Sequence, residues 1–330
     1  CATSVAMSVA SDLASKRLVR SKLRHPSGPS VFIIERNSYH SEVGVALAYL
    51  INTICPSARV YACCPSHKED AWPLFQKSFP GNVTMLHDIP NPIPLCSLVI
   101  FSTGRDMETV PLSSPEQQTC RIVHTAAEAE YARQSALGDD DILALSPLVH
   151  YRHVLPVVPW PLLARGSSCD LRPLVVVVGM SNLYSRSGRD AEDFKKLVAS
   201  DRVDCQLISR DPDPSWRCLH RRLTVHESLD VESMVIVLQS RRCFMFVCCK
   251  AGGWYHTDRL TGCIPLAISC GIPLIMDSTV AKAYGLHGLI YEKSVMEIID
   301  HLSTYVHTPY ATRDVDLDTM RHFLHDDMGV

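Results

Sequence analysis

The stretch WYHTDRLTGCIPLAISCGIPL, from Trp254 to Leu274, is the most informative feature of this chain. It predicts a polar loop, then an apolar helix over Leu260 to Ser269, then a buried strand over Leu274 to Asp277. Gly271 and Pro273 mark the end of the helix, because glycine adopts the left-handed cap without strain and proline stops a helix. A strand directly after a helix indicates the α-to-β joint of a parallel sheet.

The loop before this helix is expected to lie at the carboxyl edge of the sheet. There the helix presents backbone N–H groups and the positive end of its dipole, which favour anions and phosphates. Every α/β unit contains a joint of this form, however. A purely structural role for the joint therefore stays open at this point.

The composition is that of a soluble two-domain protein. The chain has 330 residues, of which 46% are hydrophobic and 20% charged, enough for two cores of ordinary domain size. A net charge of −3 predicts no general affinity for nucleic acid or for anionic membranes. No apolar run reaches the roughly 18–20 residues that span a bilayer. The chain begins at Cys1 rather than Met, which predicts a fragment or a processed product.

The cysteines give no sign of a metal site. There are 14 of them, but no C-x-x-C pair has a matching second pair. The two vicinal pairs, Cys63-Cys64 and Cys248-Cys249, lie in strand-like runs, where alternate side chains face opposite ways. We therefore predict buried free thiols, a reducing compartment and no metal, with the protein in the cytoplasm or at the cytosolic face of a membrane.

Residues 1–29 form a basic leader in which five lysines and arginines oppose Asp12. A helix over 8–23 would lack large apolar residues on one face, which favours a solvated segment. Peripheral membrane contact through this leader remains the alternative.

An alternation of short apolar strands and amphipathic helices fills the rest of the chain. It predicts an N-terminal Rossmann-like domain over 30–150 and a C-terminal Rossmann-like domain over 174–312. A Pro-rich hinge over 151–173 joins them. A tail helix within 313–330 would pack back on the first domain. The predicted fold class is α/β, with two doubly wound parallel-sheet domains facing a cleft.

In such sheets ligands bind beyond the carboxyl ends of the strands. One loop there stands out: a valine-rich strand ends at Gly179, and small polar residues with Arg186 and Arg189 follow. Small residues admit close backbone approach, and arginine binds phosphate oxygens through two N–H groups. Neither a dinucleotide fingerprint nor a P-loop is present, and a solvated surface turn is the alternative.

The second half resembles the donor-binding domain of retaining nucleotide-sugar glycosyltransferases with two Rossmann domains (GT-B). The resemblance covers about 130 residues and rests on the strand ending at Gly179, the block from Asp258 to Pro273, the strand after it, and Tyr284-Gly285-Leu286. In particular, Gly271-Ile272-Pro273 matches the Gly-Val-Pro or Gly-Ile-Pro turn of that family.

The resemblance implies a nucleotide-diphosphate sugar as donor substrate, with no cofactor and no metal. It assigns the diphosphate to Arg186 and Arg189, with Lys195 as a second partner. Tyr255, Thr261 and Gly262 join the same donor site, since a hydroxyl and a free N–H can both meet a phosphate.

Two positions depart from the pattern of the family, which has two glutamates eight positions apart in this block. They fall on Asp258, which keeps a carboxylate with a shorter reach, and on Leu266, which accepts no hydrogen bond from a ribose. Asp258 is therefore a catalytic candidate.

In the first half, His40 and His124 follow strands that would end at the cleft. Either histidine could position donor or acceptor hydroxyls near the reacting carbon. A histidine after a strand also serves as a capping or packing residue, and that alternative stays open.

The leading prediction is a glycosyltransferase that moves a sugar from a nucleotide diphosphate to an acceptor, without metal and with retention. The acceptor is undefined among glycan, lipid, nucleic acid and small molecule. One alternative is a binding or interaction module that kept the fold and lost the chemistry, which Leu266 supports. Another is a two-Rossmann epimerase, which would need two carboxylates converging in the cleft.

Overall fold

A computed structural model describes the parts of the chain that form the two sheets and most of their helices. The described residues are 29–35, 41–63, 82–96, 98–102, 111–112, 117–134, 142–146, 148–149, 153–154, 172–180, 188–240, 242–257, 261–307, 318 and 321. The basic leader before residue 29 and nearly all of the tail lie outside them, and so does a helix that the sequence alternation predicts over 69–78. His40, Arg186 and Asp258 also lie outside the described residues.

The first sheet has seven parallel strands in the order β3-β2-β1-β4-β5-β6-β7. Its strands are β1 (Ser30–Ile34), β2 (Arg59–Cys63), β3 (Val83–Leu86), β4 (Leu98–Phe101), β5 (Thr119–Val123), β6 (Ile142–Ala144) and β7 (His153–Val154). The described helices of this half are α1 (Ser41–Ile54) and α2 (Ala126–Gln134).

Burial explains why these segments became strands. Every residue of β1, β4 and β6 is buried, as expected for strands covered on both faces. Helix α1 covers one face with a stripe that includes Leu47, Leu50 and Ile51. The last strand, β7, lies inside the stretch predicted as the Pro-rich hinge.

The second sheet has six parallel strands in the order β10-β9-β8-β11-β12-β13. Its strands are β8 (Leu174–Val178), β9 (Asp204–Ser209), β10 (Leu223–Glu227), β11 (Cys243–Phe246), β12 (Leu274–Asp277) and β13 (Leu289–Tyr291). The α-helices of this half are α3 (Ala191–Ala199), α4 (Val231–Gln239), α5 (Trp254–Thr257), α6 (Cys263–Ser269) and α7 (Ser278–Tyr284). Two 3-10 helices span Pro214–Cys218 and Val295–His301.

The predicted α-to-β joint is present, and its glycine plays the predicted part. Gly271 follows α6 with φ +63°, the left-handed region that glycine occupies without strain, and β12 begins at Leu274. All seven residues of α6 are buried, so the helix is a core element rather than a surface one.

The predicted start of this helix at Leu260 was wrong. Thr261 precedes α6, and Gly262 is its N-cap. Pro265 gives the physical reason: it lacks an N–H, which is tolerated in the first turn but costs a hydrogen bond further inside a helix. A start at Cys263 places Pro265 in that first turn. The polar stretch before it contains the one-turn helix α5 rather than a plain loop.

Two other features of the second half were not predicted as they stand. Helix α7 follows β12 directly, with Asp277 as its N-cap and Gly285 at φ +61° as its C-cap. The sequence pattern predicts an α-helix over 295–305, whereas the structure has a 3-10 helix over Val295–His301, with a capping box between Ser294 and Glu297.

The halves touch through a buried hydrogen bond of 3.1 Å between Ser146 Oγ and Tyr284 Oη. Among the helices described here, none combines the length and the apolar character needed to cross a bilayer.

Candidate donor-binding site

The segment that carries Arg189 is held between two strand ends of the second sheet. Lys250 donates its backbone N–H to Gly188 O at 2.9 Å, and Arg189 forms an antiparallel bridge with Cys249. The next residue, Asp190, caps α3 by accepting the N–H groups of Glu192 and Asp193. Arg189 is thereby fixed beside the carboxyl ends of β8 and β11.

The Arg189 guanidinium is buried and makes defined contacts. The residue is 5% exposed. Its Nη2 donates to Thr261 Oγ1 at 2.9 Å and to Val178 O at 3.3 Å, and Nη1 lies 3.9 Å from Cys263 Sγ. Nε is also buried, and no hydrogen bond to it is formed within the described part of the chain.

This buried charge has no carboxylate partner among the described residues. The neighbouring groups are a hydroxyl, a carbonyl, an aromatic ring and thiols. Burial raises the pKa of the Cys249 thiol to about 12, although the Arg189 charge acts in the opposite direction. Burial also raises the pKa of Cys248. Both thiols are therefore neutral at pH 7, whereas arginine stays protonated, so they leave its charge uncompensated.

Gly179 lies against the guanidinium, and Gly188 makes room for the ring that covers it. Gly179 has φ +80°, and a Cβ at this position would lie 3.5 Å from Arg189 Nη2. A Cβ on Gly188 would lie 2.8 Å from the Tyr255 ring, closer than such atoms approach. The Tyr255 ring can therefore lie over Arg189, with 4.5 Å between Arg189 Cζ and the ring centre.

A histidine in the same loop was not among the predicted site residues. His256 Nδ1 accepts the N–H of Gly252 at 3.1 Å, and its Nε2 lies 2.9 Å from Asp277 Oδ2. The side chains are 8% and 13% exposed. His256 lies in the stretch predicted as a loop at the sheet edge and Asp277 ends the strand predicted after it, but a contact across 21 positions leaves no mark in the sequence.

Asp277 is held as a carboxylate by several donors. Its Oδ1 accepts the N–H groups of Thr279 and Val280 at 2.9 and 3.0 Å. Burial opposes ionisation, but the hydrogen bonds from His256 and from these N–H groups prevail and lower the pKa of Asp277.

In the first domain, polar side chains meet where three neighbouring strands end. Glu35 follows β1, Ser102 follows β4 and His124 follows β5. Ser102 Oγ contacts Glu35 Oε2 and lies 3.0 Å from Ile34 O. His124 Nε2 lies 2.7 Å from Ser102 O, so it must donate to that carbonyl.

The structure therefore brings together four of the predicted donor-site residues: Gly179, Arg189, Tyr255 and Thr261. Gly262 is next in the chain and exposed. Lys195 instead pairs with Glu192 at 2.7 Å on an exposed face of α3, and its described contacts do not join it to this cluster. His124 lies in the first domain, while His40, Arg186 and Asp258 lie outside the described residues.

Leu266 points into the hydrophobic core and is 2% exposed. The sequence analysis assigns this residue to a position where the family it resembles has a glutamate. In this chain that position belongs to the packing of α6 against the sheet.

Comparison of the whole fold with solved structures identifies its class. HepE (Alr3699) of Anabaena, solved in complex with UDP and glucose, is similar to this chain with a TM-score of 0.51 and 10% identity, over 91% of this chain and 97% of that one. A putative UDP-N-acetylglucosamine 2-epimerase from Listeria monocytogenes scores 0.41 at 11% identity, over 90% and 96%. The E. coli heptosyltransferase WaaC with ADP scores 0.42 at 11% identity, over 83% and 99%.

No protein-family model matches the chain, and no curated protein matches it in sequence. The fold class predicted from the sequence is confirmed: two Rossmann-like domains facing a cleft, as in GT-B nucleotide-sugar glycosyltransferases. At this level of identity the likeness defines the fold, and the function has to be argued from the site.

Proposed function

We propose that this protein is a glycosyltransferase whose second domain binds a nucleotide-diphosphate sugar. The sugar is transferred to an acceptor held by the first domain, across the cleft. The neighbour HepE was solved with UDP and glucose, which makes UDP the first nucleotide to test.

The observation that carries the proposal is the buried charge of Arg189. Among the described residues Arg189 has no carboxylate partner, and burying a cation unpaired is costly, so a bound anion would stabilise it. Arg189 lies beside Thr261 at the carboxyl edge of the sheet, where α/β proteins bind ligands. A diphosphate has the charge and the oxygen atoms to accept the N–H groups that Thr261 and Val178 leave available.

The same charge gives Arg189 a role in the reaction. As the bond to the sugar breaks, negative charge develops on the leaving diphosphate, and a fixed cation stabilises it. We propose that this replaces a metal ion, so that transfer persists in a chelator, and that the product retains the configuration of the donor.

The first-domain histidine supports an orienting role better than a proton-transfer role at Nε2. That nitrogen already donates to Ser102 O, which fixes the ring. We propose that His124 orients an acceptor or donor hydroxyl, and that His40 and Asp258 complete the catalytic group.

The binding step is tested by titrating the protein with UDP, ADP, GDP and dTDP while following the thermal unfolding midpoint, and then measuring affinity by calorimetry. We expect one diphosphate to raise the midpoint. Arg189→Leu should weaken its binding about 100-fold, the equivalent of a lost charge-assisted hydrogen bond at roughly 3 kcal/mol.

Arg242→Leu is the matched control. Arg242 is half-buried rather than buried, and like Arg189 it donates to carbonyl oxygens, here Ser303 O and Tyr305 O. It precedes β11 and so lies at the opposite edge of the sheet. Its loss should leave the affinity unchanged. Equal effects of the two substitutions, or no binding of any diphosphate by the wild type, would refute the donor site.

A second candidate function is a binding module that retains the donor site without catalysis. The core position of Leu266 favours it, because the residue offers no contact to a ribose. Incubation with the UDP-sugar that binds most tightly separates the two: release of UDP, with or without an added acceptor sugar, supports the transferase. Binding without turnover supports the module.

A further inference from the structure

The pair His256–Asp277 connects the ends of two neighbouring strands of the second sheet. His256 lies in α5, which follows β11, and Asp277 is the last residue of β12. The imidazole ring of His256 makes two hydrogen bonds, one to the backbone N–H of Gly252 and one to the carboxylate of Asp277, and so joins them. The ring is nearly buried, so these bonds compete little with water.

The partners fix the protonation of the ring. A backbone N–H can only donate, so Nδ1 of His256 must carry a lone pair toward Gly252. A carboxylate can only accept, so Nε2 must carry the hydrogen toward Asp277. The chain of bonds therefore has one direction, from Gly252 through the neutral imidazole to the carboxylate.

The residue before His256 is Tyr255, whose ring covers the Arg189 guanidinium. Both residues belong to a helix of only four residues, too short to hold its own shape. The orientation of α5 must therefore come from tertiary contacts. The His256 bonds fix one side of this turn, and the contact of the Tyr255 ring with Gly188 limits the other.

We propose that His256 and Asp277 are positioning residues of the donor site, which hold α5 so that Tyr255 lies over Arg189 and keeps its guanidinium directed at Thr261 and at the diphosphate. The role in ligand binding rests on the proposed function. The positioning of Arg189 does not, and it can be measured without ligand.

The ligand-free test uses the Nε–H signal of Arg189 in a nitrogen–proton NMR spectrum. Arg189→Leu assigns the signal, which the ring current of Tyr255 displaces in the wild type. His256→Ala should move it toward the position of a free arginine. Gly188→Ala should move it too, because the added Cβ forces the ring away from the guanidinium.

Two conservative variants separate positioning from general packing. In His256→Gln the side-chain amide can still donate to Asp277, so the signal should stay near its wild-type position. In His256→Asn the shorter amide reaches Gly252 but not Asp277, so the signal should move as in His256→Ala. His226→Ala is the control. It removes another partly buried histidine, which lies on β10 and is hydrogen-bonded to Gln206 of β9 at 3.2 Å.

The second test measures UDP affinity by calorimetry in the same variants. We expect binding about tenfold weaker in His256→Ala and His256→Asn, near-normal binding in His256→Gln, and no change in His226→Ala. An Arg189 signal that stays in place in both His256→Ala and His256→Asn overturns the positioning role. Failure of the wild type to bind any nucleoside diphosphate overturns the proposed function instead, so the two failures are distinguishable.

Discussion

The carboxyl edges of the two sheets carry opposite kinds of buried polar group. The first edge contains a buried carboxyl, Glu35, which Ser102 contacts through its hydroxyl. The second contains a buried guanidinium, Arg189, which Thr261 contacts through its hydroxyl. The two edges thus each bury one ionisable side chain against a hydroxyl, a carboxyl at the first edge and a guanidinium at the second.

Removing the hydroxyl at the first edge is expected to give the largest loss of stability. Ser102→Ala deletes the contacts to Glu35 and Ile34 from a residue with no exposed surface. A buried carboxyl that loses a hydrogen-bond donor costs about 2 kcal/mol. Urea denaturation measures this, and UDP affinity should stay at its wild-type value. Weaker UDP binding in Ser102→Ala would show that the edges do not have separate roles.

Removing the hydroxyl at the second edge should give the opposite pattern. Thr261→Val keeps the shape of a side chain that is 2% exposed but deletes the acceptor of Arg189 Nη2. We expect a loss of about 1 kcal/mol in unfolding free energy and about tenfold weaker UDP binding, since Arg189 is no longer held in place. Calorimetry and urea denaturation on the same sample measure both. Thr224→Val is the control, because it makes the same change at an exposed position of the edge strand β10.

The strands that the sequence analysis missed share a place in the fold. Central strands such as β1, β8 and β12 are continuous apolar runs. The sequence pattern predicts them over 31–35, 174–178 and 274–277, within one residue of their bounds. The missed strands β7, β10 and β13 are all edge strands of the two sheets. An edge strand pairs with only one neighbouring strand, so it can be short or carry exposed polar residues such as Thr224 and Glu227. Their pattern then resembles that of a loop.

The place of Arg189 in the fold was predictable from the sequence, but its contacts were not. A glycine after a buried strand, with arginine nearby, was enough to predict the location of Arg189. The sequence could not show that Lys195 would pair with Glu192 one helical turn away, because an exposed lysine takes the nearest carboxylate. Nor could it show the His256–Asp277 contact, which depends on how two loops meet.

The hydrogen bond between Ser146 and Tyr284 joins the two domains, so removing it tests whether they unfold together or independently. Tyr284→Phe removes the hydroxyl and little else, and should lower the free energy of unfolding by about 1 kcal/mol. Ser146 keeps the N–H of Leu148 as a partner, so the loop itself should survive. Urea denaturation followed separately by signals from each domain measures the effect. A loss confined to the second domain would mean that the domains unfold independently.

The acid dependence of stability should come in part from the second edge, through Asp277. Its pKa is lower in the folded protein than the unfolded value of about 3.9, because the bonds from His256, Thr279 and Val280 outweigh burial. Its contribution is therefore fully present above pH 4 to 5 and is lost as the pH falls through the folded pKa.

Asp277→Asn should thus be less stable than the wild type at pH 5, and the difference should shrink steadily toward pH 2.5 in urea denaturation curves. Asp230→Asn is the matched control: Asp230 also caps a helix, and hydrogen bonding to Ser233 lowers its pKa, but it is exposed and has no histidine partner. Because solvent screens the exposed Asp230, the stability difference between Asp230→Asn and the wild type should change less with pH. If the stability difference from the wild type changed equally with pH in both variants, the effect would come from helix capping and not from the buried His256 bond.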